Sequence, residues 1–122
     1  MTDGTWTTNA EELDSLVERW RGARAESWAY TVSHGVFILA LHRPPRTAYI
    51  QFKDCQAIHL HRTSWESADI SISRVPHRLG VVHTVTDPGN FHLVCWAAFG
   101  IESDHFINFH REWSNPNETG NA

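Results

Sequence analysis

The chain has 122 residues, 41% of them apolar, and a net charge of −4 with histidine neutral. That length suits one domain that buries its own core, and the apolar share is that of a folded chain rather than a disordered one. Lys53 is the single lysine and the arginines are scattered, so the clustered cations that nucleic-acid binding requires are missing.

Residues 1–8 are polar and predict a flexible N-terminus, followed by a single domain over 9–113 and a disordered Asn-, Pro- and Gly-rich tail over 114–122. Asn9 is a helix cap, with Glu12 three residues on to complete a capping box. Leu13, Leu16, Val17 and Trp20 share one helical face; Arg19 and Arg21 suit the last turn, and Gly22 suits the stop.

From Ser27 the period becomes two, with Trp28, Tyr30 and Val32 alternating against Ala29, Thr31 and Ser33. His34-Gly35 turns the chain into Val36–Arg43, which is apolar on both faces, and Pro44-Pro45-Arg46 breaks that run. Further strands are predicted at Thr47–Phe52, Gln56–Trp65, around Ile70 and Ile72, and at Val81–Thr86, with a loop around Pro76 and Gly80. Asp87-Pro88-Gly89-Asn90 is a turn. It leads into Phe91–Ile101, read as a second doubly apolar strand, and a last strand follows near His105–His110.

Short connections imply antiparallel neighbours, because a parallel crossover needs about a dozen residues or more. The fold class expected is mainly β (α+β). It is an antiparallel meander of about eight strands forming a barrel or sandwich, with the one N-terminal helix packed on it.

Cys55 and Cys95 are too few for a disulfide scaffold, and Cys95 lies in an apolar run that suits a buried reduced thiol. The N-terminus has no signal-peptide pattern, and the longest apolar runs are too short to span a bilayer. The expectation is a soluble, cytoplasmic chain with no nucleic-acid or membrane partner. No nucleophile elbow or glycine-rich phosphate loop is present. The acidic residues Glu11, Glu12 and Glu18 are accounted for by the helix dipole and solvation.

Nine histidines stand out. His59 and His61 are two apart on a predicted strand, so their rings share a face, and imidazole suits transition metals. His59-Leu60-His61 with Glu66, then Gly89 and His92, resembles the cupin metal-binding pattern: H-x-H, a short spacer, Glu, and later Pro-x-Gly-x-x-His. The resemblance implies a β-barrel holding one divalent transition metal on His59, His61, Glu66 and His92. This chain departs from the pattern at Lys53 and Ser73, where glycines are expected, at Trp96, where asparagine is expected, and at Pro88, which is one residue out of place.

Six tryptophans are also more than usual. Trp20 and Trp96 belong to predicted buried faces, whereas Trp65 and Trp113 sit near element ends and are candidate interaction residues. The leading expectation is a non-catalytic binding or protein-interaction module, using a sheet edge or a Trp patch to bind a partner or a second copy of itself. The alternative is a cupin-like metal protein or metalloenzyme; a third reading is a curved sheet with a cavity for a small apolar ligand.

Overall fold

A computed structural model of the chain describes residues 5–31, 35–104 and 106–107. The helix is as the apolar spacing predicts: α1 spans Ala10–Arg19 and buries Leu13, Leu16 and Val17. The Asn9 side chain accepts from the Glu12 N–H at 2.8 Å. The Glu12 carboxylate reaches one residue further back than the expected box, accepting from the N–H and hydroxyl of Thr8 at 2.7 and 3.0 Å. Trp20 caps the C-terminus of the helix, and Gly22, at φ 89°, takes the left-handed conformation two residues later, in the turn that leads to β1.

Nine strands follow among the described residues: β1 (Arg24–Thr31), β2 (Val36–Arg43), β3 (Arg46–Lys53), β4 (Ala57–Leu60), β5 (Ser64–Trp65), β6 (Ser71–His77), β7 (Gly80–Asp87), β8 (Phe91–Cys95) and β9 (Ala97–Ser103). They form two antiparallel sheets, neither closed into a barrel: a five-stranded sheet in the order β5-β1-β2-β3-β9 and a four-stranded sheet in the order β4-β8-β7-β6.

Two predicted strands prove to be pairs of strands in different sheets. Gln56–Trp65 divides into β4 and β5: after β4 the N–H groups of His61 and Arg62 both donate to Asn90 O, and then Thr63 O accepts from Ser27 of the other sheet. Phe91–Ile101 divides at Trp96, whose N–H donates to Lys53 O, as the chain passes from β8 to β9. Both halves of that run are apolar because both sheets bury side chains, so the crossing leaves no polar interruption to read. Around Pro76 and Gly80 the expected loop shrinks to Arg78-Leu79 between β6 and β7. Pro76 is tolerated inside β6 because that strand is an edge. At the N-terminus the predicted frayed segment extends too far: Thr7 N–H donates to Gly100 O at 2.8 Å and Thr7 Oγ1 accepts from Gly100 N at 3.0 Å. The expected last strand near His105–His110 falls almost wholly outside the described residues, with Phe106 and Ile107 in no regular element.

β2 carries the architecture, burying its first seven residues in a run. Phe37, Leu39 and Leu41 face a core shared with Ile50 and Phe52 of β3, Val85 of β7, Phe91, Leu93 and Cys95 of β8, and the apolar stripe of α1. Ile38 and Ala40 face the other way, into a second cluster with Tyr49 and Ile101 that Trp6, Trp28 and Ile107 pack against. Helix α1 lies over β9 so closely that a Cβ on Gly100 would stand 2.9 Å from Leu16 Cδ1.

Two polar anchors hold the layers in place. Asp87, 2% exposed, accepts from Trp65 Nε1 at 2.9 Å, Asp69 N at 2.8 Å and Asn90 Nδ2 at 2.9 Å. It thereby ties the segment after β5 to the β7–β8 turn. Glu102 on β9 accepts from Trp20 Nε1 at 2.6 Å and pairs with Arg19 at 3.0 Å, joining the helix end to the sheet. Burial pushes the Glu102 carboxyl up, but the hydrogen bonds from Trp20 and Arg19 and the charges of Arg19 and Arg46 outweigh it and hold the group below its usual value.

Asp87→Ala leaves a buried indole N–H and a backbone N–H unpaired, and we expect a loss of about 3 kcal/mol in urea unfolding. Glu102 has a lowered folded pKa, so its contribution is present above the unfolded value of about 4.3 and is lost as pH falls through the folded value. Stability measured from pH 6 down to pH 3 should therefore fall less steeply in Glu102→Gln than in the wild-type chain.

Candidate functional site

The sequence places Trp28 and Tyr30 on one face of β1. The structure separates them. Ser27 is paired with Leu39, Ala29 with Ile38 and Tyr30 with Phe37, so a register shift lies at Trp28. A bulge of this kind inserts one residue and re-aims the side chains beyond it. Trp28 turns to the outer cluster, where its ring lies 5.7 Å from Tyr49 and 5.9 Å from His42 and its Nε1 donates to Ile107 O at 2.8 Å. Tyr30 follows Phe37 to the opposite face, their rings edge-on at 6.5 Å.

Beyond the bulge, β1 stays paired with β2 on one side, but its other edge has no strand beside it among the described residues, because β5 pairs only with Ala25 and Glu26. The facing edge of the four-stranded sheet is β4, whose only described neighbour is β8. Between these two open edges lies a groove of about 330 Å³. It is lined by Ser27, Trp28, Ala29 and Tyr30 of β1, by Phe37, and by Ile58 and Leu60 of β4. None of these residues is charged. Tyr30 is 54% exposed and Leu60 37%, large apolar side chains left at the rim.

A larger crevice of about 380 Å³ lies between α1 and the N-terminal segment, lined by Thr5, Trp6, Thr7, Glu12 and Arg19 among others. Three of its charged groups already have partners, Glu12 with Thr8 and Arg19 with Glu102. It is a seam between packed elements, whereas the groove between β1 and β4 is an unsatisfied apolar surface.

The residues singled out from sequence fare differently. His59 and His92 come together: they are directly paired across β4 and β8, with ring centroids 6.0 Å apart. His61 lies past the end of β4, and Glu66 follows β5, which belongs to the other sheet. Among the described residues no group of three or more His, Cys, Asp and Glu side chains is arranged to hold a metal ion. Trp65, expected at an interaction surface, is 6% exposed, with its indole bonded to Asp87 and its ring 5.7 Å from Phe91. The short strand β5 carries it into the core, which a polar surrounding sequence conceals. Trp113 lies outside the described residues. Trp96 is only half-buried, at the crossing between sheets, with its ring edge-on to His77 at 5.3 Å. Tyr30 and Leu60, the rim of the groove, were missed from sequence, because the bulge that turns Tyr30 has no signature in the residues around it.

No family model, curated protein or solved structure matches this chain. Among the described residues no helix is long and apolar enough to cross a membrane.

The cysteines are free, as expected. Burial pushes the Cys55 thiol up to about 11 and the Cys95 thiol up to about 12. Since the thiolate is the reactive form, both should react slowly with a disulfide reagent at pH 8 in the native state and rapidly once unfolded in urea. Fast native labelling of either thiol would contradict this packing.

Proposed function

We propose that this protein is a non-catalytic binding module whose ligand is a small, uncharged, largely apolar molecule held in the groove between β1 and β4. In this reading the two sheets act as a sandwich splayed at one side, and the splay is the site. The single observation that carries it is the lining: mostly aromatic and aliphatic side chains, none charged, between two strand edges that lack neighbours among the described residues.

An anion or cation would lose its hydration there without a countercharge, which costs far more than the groove returns. A neutral ring can stack on Tyr30 and Phe37, and open β1 backbone groups can supply hydrogen bonds that fix its orientation. The volume lies at the lower end of the roughly 300–1,000 Å³ usual for ligand sites, which restricts the occupant to a compact molecule.

The test is titration with the neutral dye Nile red. One dye per chain is expected, with Leu60→Asp weakening it at least tenfold, because a carboxylate at the rim opposes an apolar ligand. No saturable binding, or equal binding to Leu60→Asp, would remove the proposal. The same open edges also offer a second copy of the chain a strand to pair with. A solution mass of two chains that Leu60→Asp reduces to one would favour that use of the surface.

A further inference from the structure

We propose that the cross-strand pair His59 and His92 binds a single divalent transition-metal ion, such as zinc, nickel or copper, on the face of the four-stranded sheet that points away from the core. The site needs only these two side chains and is distinct from the apolar groove.

The register brings the two residues together. His59 is paired directly with His92, and in an antiparallel ladder directly paired residues project to the same face. Their neighbours show which face it is. Leu93 and Phe91, flanking His92, belong to the core, and Ile58 beside His59 packs against it, so the two imidazoles point outward. His59 is exposed and His92 half-buried, so an ion can reach both.

The spacing suits a shared ion. With a metal–nitrogen bond of about 2.1 Å and each ring centre roughly 1.1 Å beyond its nitrogen, two imidazoles on one ion hold their centroids about 5–6.5 Å apart, from tetrahedral to linear angles. The observed 6.0 Å falls within that range. Neutral imidazole is a borderline-soft ligand that prefers late first-row metals to magnesium or calcium. The residues in line with the pair on the same face, Thr86 on β7 and Ser71 on β6, are uncharged and present no cation to repel an ion. With two protein ligands, the remaining positions stay with water, so binding would be exchangeable rather than permanent.

Such an ion would brace β4. Among the described residues this four-residue edge strand is paired with β8 alone, and His59 sits between the two residues, Ile58 and Leu60, that it contributes to the groove. A ligand that binds only the folded state raises stability by mass action, and cross-linking an edge strand to its neighbour is a direct route to that gain.

The experiment is metal titration of tag-free protein with nickel and with zinc, read by calorimetry and by thermal melting, with reversal by EDTA. One equivalent bound and a higher melting temperature are expected. His59→Ala and His92→Ala should each weaken binding at least tenfold and abolish the thermal shift. His61→Ala should stay within twofold of wild type. The His59 substitution is on the surface and should leave the apo melting temperature close to wild type, which keeps loss of metal separate from loss of fold. Absence of binding by the wild-type chain, or binding unchanged in either the His59 or the His92 variant, would overturn the site. A loss in His61→Ala as large as in the other two would overturn the two-residue assignment.

Discussion

A sheet whose central strand is apolar on both faces cannot be left with water on either side, and the rest of this structure answers that constraint. β2 buries seven consecutive residues, and β3 beside it buries five of its eight. One face is covered by the four-stranded sheet and α1. The other face is covered by tryptophans from outside the central strands, Trp6 and Trp28, and by Phe106 and Ile107 after β9. At roughly 25 cal/mol per Å² of apolar surface, leaving either face open would forfeit several kcal/mol, a large part of a small domain's stability.

Covering one sheet with another from the same chain requires repeated crossings. The chain passes between the sheets after β3, β4, β5 and β8. Each crossing is secured locally: the Gln56 N–H donates to Val94 O as the chain enters β4, Asn90 O holds the chain as it leaves β4, Asp87 anchors the segment after β5, and the Trp96 N–H to Lys53 O bond secures the passage to β9. Short strands at the crossings leave edges incompletely paired. β9 is partly capped by Thr7, and β6 contains Pro76, which offers no donor. Among the described residues the β1 and β4 edges receive neither treatment, and that is where the apolar groove lies.

Both proposed sites draw on the four residues of β4. Its alternation sends Ile58 inward to the core and the groove and His59 outward to meet His92. A strand held by one neighbour is among the easier parts of a fold to open locally. Anything that fixes β4 to β8 therefore also fixes one wall of the groove, which would connect the two proposed sites through a single short strand.

The helix, its cap and the turn after it were legible because they depend on local chemistry: Asn9 satisfies an orphan N–H, the apolar residues repeat at helical spacing, and Gly22 accepts a positive φ. The doubly apolar β2 and the Asp87–Asn90 turn were legible for the same reason, as was the antiparallel, mainly β class that short connections impose. The division of Gln56–Trp65 and Phe91–Ile101 between two sheets was not, because a strand's sequence records burial and not the sheet that provides it. Nor was the bulge at Trp28, which depends on how β1 registers against β2. The histidine pattern could be read as four ligands along the chain, but pairing across β4 and β8 joins two of them, while the crossing after β4 carries Glu66 to the other sheet. Local propensity and burial are written residue by residue. Which distant strands meet is decided only when the whole chain must cover one sheet on both of its faces.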